Sequence, residues 1–152
     1  MNVQDEIKAL KDRISELEQQ VEQEKEFPQD GDAYWFIDDE GGMSSTFYKN
    51  YYLDIYRQKI GNLFRTEEEA EFAVKKLKVE AELRKFSVPF KHGGDNYTFN
   101  YNHKNGKIVN LYASEGYQDF GALYFESNEE LNKAIESVGI DRIKKYIFGV
   151  ED

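Results

Sequence analysis

The stretch "FRTEEEAEFAVKKL", residues 64–77, returns in outline further along the chain as "FESNEELNKAIESV", residues 125–138. Both segments place an aromatic residue, a hydroxyl residue, paired acids and an aliphatic stripe in the same order. Thr66 precedes Glu69 by three positions and Ser127 precedes Glu130 by three, which is the capping box of a helix start. The repeat therefore predicts two helix starts and one module built twice.

The paired glutamates of this repeat could act as catalytic acids or stabilise helix ends. Acids in a first turn interact favourably with the helix dipole, and apolar residues at i, i+3, i+4 and i+7 follow them, as in a helix that faces a sheet. We therefore interpret the acids as part of the helix start. The two stripes are Ala70, Ala73, Val74 and Leu77, and Leu131, Ala134, Ile135 and Val138.

A hairpin precedes each helix. Residues 34–38, "YWFID", and 43–48, "MSSTFY", predict the first; residues 96–102, "NYTFNYN", and 107–113, "KIVNLYA", joined by an Asn-Gly turn, predict the second. A short strand, "NLF" or "ALYF", then leads into the helix. We expect an α+β fold with ββ(β)α modules at 34–86 and 87–152, the second ending in a short helix capped by Asp141.

Residues 1–26 predict a coiled-coil dimerisation helix, and 27–33, with Pro28, a linker. With Ile7 at position a, β-branched residues fill the a sites and leucines the d sites, which favours a parallel two-stranded coil. The predicted dimerisation residues are Val3, Ile7, Leu10, Ile14, Leu17 and Val21.

The charges beside this seam agree with a parallel homodimer. Glu6 at g would face Lys11 at e of a second copy, and Arg13 would face Glu18 in the same way. The alternative is a single amphipathic helix that lies against the body of its own chain.

The composition of the chain disfavours some classes of binding partner. The chain of 152 residues has a net charge of -10, 39% hydrophobic and 15% aromatic residues, no cysteine and two histidines. The acidity makes direct nucleic-acid binding unfavourable and suits a basic protein partner or imitation of nucleic-acid charge. Neither a membrane-spanning run nor a signal-peptide core occurs, so we expect no membrane partner and a cytoplasmic location.

The segment 45–62 combines tyrosines with basic residues, a mixture that suits a protein interface or stacking on planar groups. The matching segment 114–121 is shorter and lacks basic residues. The alternative is that these tyrosines simply cover a small core. The predicted partner-binding residues are Tyr48, Lys49, Tyr51, Tyr52, Tyr56, Arg57 and Lys59.

The chain contains no nucleophile elbow, P-loop or dinucleotide fingerprint. Two histidines in Gly- and Asn-rich contexts, without cysteine, do not indicate a metal centre. We therefore expect a protein that is not an enzyme, with no catalytic residues, no cofactor and no metal.

Three segments, "YWFIDDEGG", "IGNLFRTEEEAEFAVKKLKVEAELRKF" and "IDRIKKYIFGVED", resemble small uncharacterised accessory proteins of Firmicutes phages and prophages. The resemblance covers about residues 34–152. It implies action in the host cytoplasm on a host macromolecule, such as inhibition of a defence nuclease in the manner of an anti-CRISPR or anti-restriction protein. The alternatives are a protein that sequesters a nucleotide signal and a structural or assembly protein of the phage particle.

Overall fold

The computed structural model describes residues 2–113 and 116–151, which form two units. The first contains residues 2–36 and 44–65, and the second contains 37–43, 66–113 and 116–151. The elements are α1 (Val3–Glu24), β1 (Ala33–Ile37), β2 (Met43–Phe47), α2 (Tyr52–Lys59), α3 (Glu67–Arg84), β3 (Asn96–Asn102), β4 (Lys107–Ala113), α4 (Asn128–Val138) and α5 (Ile140–Tyr146). The predicted α+β fold class is confirmed.

The two predicted hairpins are present as two-stranded sheets, β1 with β2 and β3 with β4. In the second, antiparallel pairing runs from Asn96 opposite Ala113 to Asn102 opposite Lys107. The strand bounds predicted for this hairpin, residues 96–102 and 107–113, are confirmed. Its alternating aromatic and polar residues fit a sheet that faces a core on one side.

The predicted third strand of each module is reduced to isolated bridges, and one of these bridges recurs in both modules. The N–H of Trp35 donates to the carbonyl of Phe64 at 2.9 Å, and the N–H of Phe64 returns to Trp35 at 2.8 Å. In the second half, Tyr97 bridges to Phe125. Each of these two bridges joins a residue of the first hairpin strand to the aromatic just before a helix start, so the repeated hairpin module is present in the structure.

Both predicted helix starts are confirmed. Thr66 Oγ1 accepts a hydrogen bond of 3.2 Å from the N–H of Glu69, and Ser127 Oγ accepts one of 3.1 Å from the N–H of Glu130. The hydroxyl at each N-cap satisfies one of the backbone donors that a helix leaves free at its first turn. The acids of the repeat lie in these first turns, as their interpretation as helix-start residues requires.

The predicted cap of the last helix is wrong. Asp141 lies in the first turn of α5, and Gly139 is the N-cap. Gly139 has φ +100° and is also the C-cap of α4. That backbone conformation is strained for a residue with a side chain, so glycine allows one helix to end and the next to begin at a single position.

The apolar stripe of α4 is buried as predicted at Leu131, Ala134, Ile135 and Val138. The stripe of α3 is only partly confirmed, since Ala70 and Val74 are buried but Leu77 is 52% exposed. Further along α3 the buried residues are Val79 and Leu83. Five positions separate Val74 from Val79, so the buried face rotates around the helix and leaves Leu77 outside it.

The core of the second unit lies where α4 packs against α3, α5 and β3. An ion pair also joins α5 to α3, because Arg142 donates to both carboxylate oxygens of Glu82, at 2.6 and 3.1 Å. Helix α3, which the sequence repeat assigns to the first module, thus packs within the second unit. The buried core residues are Val79, Leu83, Phe125, Leu131, Ala134, Ile135, Val138 and Ile143.

We predict that Leu131→Ala destabilises the protein by about 2–5 kcal/mol, because it leaves a cavity at a fully buried position. Leu77→Ala removes the same atoms from an exposed position of α3 and should change the free energy of unfolding by less than about 1 kcal/mol. Urea denaturation followed by circular dichroism measures both. Equal losses in the two variants would contradict this placement of the core.

Candidate functional site

The N-terminal segment forms a single helix whose apolar stripe is open to solvent. Its N-cap is Asn2, whose Oδ1 accepts from the N–H of Asp5 at 2.8 Å while Asp5 accepts from the N–H of Asn2 at 3.3 Å. No residue of α1 is buried. The stripe, called the α1 seam, is between 44% and 70% exposed. It consists of Val3, Ile7, Leu10, Ile14, Leu17 and Val21.

The exposure of the α1 seam bears on the two alternatives for this helix. An amphipathic helix lying against its own body would bury its apolar stripe, whereas this stripe remains accessible within the single chain. Arg13, one of the flanking charges, pairs along the helix with Glu16 at 3.0 Å, and both side chains are largely exposed. Such surface pairs contribute little to stability, so this contact hardly restrains Arg13. The parallel dimer stays a prediction.

The tyrosine-rich segment contains a helix, α2, that the sequence pattern does not predict. At its start, the N–H of Tyr51 donates to Asp54 Oδ2 at 3.1 Å. At its end, Gly61 adopts φ +73° just beyond the last turn. A carboxylate in the first turn and a glycine after the last are ordinary helix signals, but they are short-range and easily overlooked among aromatic residues.

Asp54 is the centre of a buried polar cluster in the first unit. Its side chain is 3% exposed and accepts three hydrogen bonds. They come from the Tyr34 hydroxyl at 2.5 Å, the N–H of Lys49 at 3.0 Å and the N–H of Tyr51 at 3.1 Å. The cluster therefore ties β1 to the segment that leads into α2.

Arg57 completes this cluster. Its Nη1 donates to the Tyr34 hydroxyl at 3.0 Å, and its guanidinium carbon lies 3.6 Å from the centre of the Phe36 ring. The guanidinium is thus held by a hydrogen bond and a cation–π contact within its own unit. These contacts restrain Arg57 within its own unit, and its assignment as a partner-binding residue stays a prediction.

The protonation states of the cluster follow from these contacts. Burial opposes ionisation of Asp54, but the hydrogen bonds from Tyr34, Lys49 and Tyr51, together with the charge of Arg57, outweigh burial and lower its pKa. Burial, followed by the hydrogen bond to Asp54, raises the pKa of Tyr34 against the effect of Arg57. Tyr34 therefore stays protonated as a donor, and Asp54 stays ionised as an acceptor.

The structure separates the other predicted partner-binding residues into two groups. Tyr48 is buried, and its hydroxyl contacts Gln58 Oε1 at 3.0 Å and Asn50 Oδ1 at 3.3 Å. Its assignment as a partner-binding residue, like that of Arg57, stays a prediction. The exposed group consists of Tyr51, Tyr52 and Tyr56 with the lysines at positions 49 and 59.

The exposed side chains on and beside α2 form one aromatic and aliphatic area, called the α2 surface. It consists of Tyr51, Tyr52, Leu53, Tyr56 and Ile60, which are between 47% and 79% exposed. The rings of Tyr52 and Tyr56 meet edge to face at 6.0 Å. The sequence analysis did not identify Leu53 and Ile60, because it predicted no helix in this segment and therefore did not group them with the tyrosines.

The charge beside the α2 surface is opposite to that of the whole chain. Asp54 is the one carboxylate in residues 45–62 of the sequence, and it is buried. Lys49 and Lys59 are exposed. The α2 surface is therefore locally cationic on a protein whose net charge is -10.

The two histidines of the chain belong to the second unit. Within residues 2–113 and 116–151, no three His, Asp or Glu side chains are grouped so as to hold a metal ion. His92 and His103 are exposed, and the His103 ring lies 4.7 Å from that of Tyr101. Over the same residues, no helix combines the length and apolar character needed to cross a membrane. Of the segment 114–121, residues 114 and 115 lie outside the described residues.

Comparison with known protein families, curated proteins and solved structures finds no match to this chain. The resemblance to phage accessory proteins and the functions it implies therefore stay predictions.

We predict that Asp54→Asn destabilises the protein by about 1–3 kcal/mol at pH 7, because it replaces a charged acceptor of three hydrogen bonds. A lowered folded-state pKa contributes stability fully above the unfolded value, about 3.9, and loses it as pH falls through the lower folded value. The difference in the free energy of unfolding between the native protein and the variant should thus become smaller below about pH 4.

Denaturant unfolding measured from pH 7 to pH 2 provides the test. Asp30→Asn is the matched control, since it removes an exposed carboxylate from the same unit and should leave stability nearly unchanged. Parallel pH curves for the native protein and Asp54→Asn would contradict the role of this carboxylate.

Proposed function

We propose that this chain is a non-enzymatic interaction protein, which forms a parallel dimer through the α1 seam and binds a macromolecule through the α2 surface. The observation that carries the proposal is the exposure of six apolar side chains along one side of α1. A continuous apolar stripe in water is unfavourable and is typical of a surface that a partner covers.

A second copy of the chain fits the α1 seam better than an unrelated partner. The seam alternates steps of four and three residues, so two copies can interdigitate knobs into holes. In parallel register, Glu6 meets Lys11 and Arg13 meets Glu18, and each contact occurs twice by symmetry. An antiparallel pair or a different helix would not obtain this charge match from the same sequence.

The α2 surface has the composition of a protein-binding site. Tyrosine is enriched among the residues that dominate interface energies, because a rigid ring buries a large area and its hydroxyl keeps a hydrogen bond. The Asp54 cluster holds the start of α2 through side-chain and backbone bonds. A surface that is ordered before binding loses less entropy on association.

The net charge of -10 and the resemblance to phage proteins support a host macromolecule of net positive charge as the target, such as a defence nuclease. The part of this target that contacts the α2 surface is not itself basic, because Lys49 and Lys59 are exposed beside that surface. Long-range attraction between opposite net charges accelerates encounter, while the aromatic α2 surface supplies short-range contacts. A dimer presents two such surfaces, so a target with two copies of its own site would be held by avidity.

We predict that Leu10→Lys with Leu17→Lys converts the dimer into a monomer, because two d positions of each helix would then carry charge. The matched control is Ala9→Lys with Gln19→Lys, which adds the same two lysines at positions c and f outside the α1 seam. Light scattering after size exclusion should give half the mass for the first variant and the dimer mass for the control. A native protein with the mass of one chain would overturn the dimer.

We predict that Tyr52→Ala with Tyr56→Ala reduces affinity for the target at least about tenfold without lowering the melting temperature, since both rings are exposed. Tyr117→Ala is the matched control, because Tyr117 is exposed in the second unit. Native protein and both variants serve as baits in a lysate of the host, and affinity is then measured with the purified target.

A defence nuclease as target should be inhibited at a one-to-one ratio of chains, and added salt should weaken the inhibition. Capture that survives the double variant would show that the α2 surface is not the binding site. A melting temperature that falls in the double variant but not in Tyr117→Ala would assign these tyrosines to the fold instead.

A further inference from the structure

The second unit contains a cleft that the sequence pattern does not indicate. Its volume is 560 Å³, which is within the range of about 300–1,000 Å³ typical of small-molecule sites. Residues of α3, β3, the turn 119–123 and the segment after α5 line it. All of them belong to the second unit, so the cleft involves neither the α1 seam nor the α2 surface.

One part of the cleft wall is apolar and is held by the core. Leu83 is itself a core residue, and Phe99, Leu123, Ile147 and Phe148 pack against the core cluster. The rings of Phe99 and Phe148 meet edge to face at 5.8 Å. This part of the wall is therefore largely formed before any ligand enters.

An aromatic side chain stands at the edge of this cleft. Phe120 is fully exposed, at 107% of its reference area, and lies in a turn closed by the N–H of Ala122 on the carbonyl of Asp119 at 3.4 Å. The N–H of Asp119 donates to the hydroxyl of the buried Tyr124 at 2.7 Å, which anchors the turn. The ring of Phe120 is not buried in the fold, yet the turn places it at the edge of the cleft.

The cleft also contains one guanidinium and two carboxylates, from Arg84, Glu80 and Asp119. Arg142 of the same unit is paired with Glu82, whereas the side chain of Arg84 has no ion-pair partner within residues 2–113 and 116–151. A guanidinium binds phosphate or carboxylate oxygens in a planar fork. Carboxylates in the same cleft would accept hydrogen bonds from amino groups.

We propose that this cleft binds a nucleotide. The base is a planar ring that stacks on Phe120 and the apolar walls, as bases stack on aromatic side chains in single-strand binding proteins. Its amino and ring N–H groups donate to Glu80 or Asp119, and its phosphate accepts from Arg84. A simple anion would contact Arg84 but would offer no donors to the two carboxylates and no ring to Phe120, and a simple hydrocarbon would leave all three charged groups without partners.

Isothermal titration calorimetry of the full chain with AMP, GMP, CMP and UMP tests the proposal. The corresponding nucleosides and inorganic phosphate, titrated separately, distinguish recognition of the base from recognition of the anion. We expect saturable binding of at least one nucleotide, weaker binding of its nucleoside and none of phosphate alone. No heat with any nucleotide, or equal affinity for inorganic phosphate, would overturn the proposal.

Substitution of two exposed residues tests whether the nucleotide binds in this cleft. Arg84→Ala should weaken nucleotide binding at least about tenfold and leave nucleoside binding unchanged, because it removes only the phosphate contact. Phe120→Ala should weaken the binding of both the nucleotide and the nucleoside, because it removes the stacking contact with the base. The matched controls are Lys85→Ala, the next cation along the chain, and Tyr117→Ala, an exposed ring before the turn; neither residue lines the cleft.

The outcomes for the nucleotide site and for the proposed function are separable. Two double variants should bind the nucleotide with the affinity of the native protein. They are Leu10→Lys with Leu17→Lys, which removes the dimer, and Tyr52→Ala with Tyr56→Ala, which alters the α2 surface. Equal losses in Arg84→Ala and Lys85→Ala would place binding outside the cleft and overturn the assignment. A monomeric native protein, or the absence of a captured target, would contradict the proposed function but would not change the expected results of these titrations.

Discussion

The first unit depends on one buried carboxylate. Asp54 accepts from the hydroxyl of Tyr34 on β1 and from two backbone N–H groups before and at the start of α2. A buried charge is tolerated only when such partners replace water, so strand, connecting segment and helix start must keep their arrangement together. The aromatic side chains of the α2 surface are held in place by this requirement rather than by a large apolar core.

Regular patterns along the chain predict most of the fold, and contacts between distant residues account for the rest. The caps at Thr66 and Ser127 and the second hairpin follow from spacings of a few residues, so they are visible in the sequence. The burial of Val79 in place of Leu77 depends on which side of α3 meets α4 and α5. The helical period predicts the spacing of the apolar residues on a helix, but it does not predict which side of the helix packs against the neighbouring elements.

The candidate site was predicted to a similar extent. The tyrosines of the segment 45–62 were identified from composition, but the contacts that Tyr48 and Arg57 make within the fold were not. Their partners, Gln58 for one and Tyr34 with Phe36 for the other, include residues more than twenty positions away, which composition cannot pair. The cleft of the second unit was missed for the same reason, because its walls come from four separate segments.

Helix α1 contributes no buried residue, so the packing of the single chain does not determine which residues occupy it. Substitutions on the side of α1 away from the α1 seam disturb no buried contact within the chain, so these positions can vary while the rest of the chain keeps its fold. Descendants could exchange the helix for another of different pairing preference and so acquire new assembly states in one recombination event. For the same reason, a protein engineer could replace it with a trimeric or heterodimeric helix and leave the remaining architecture untouched.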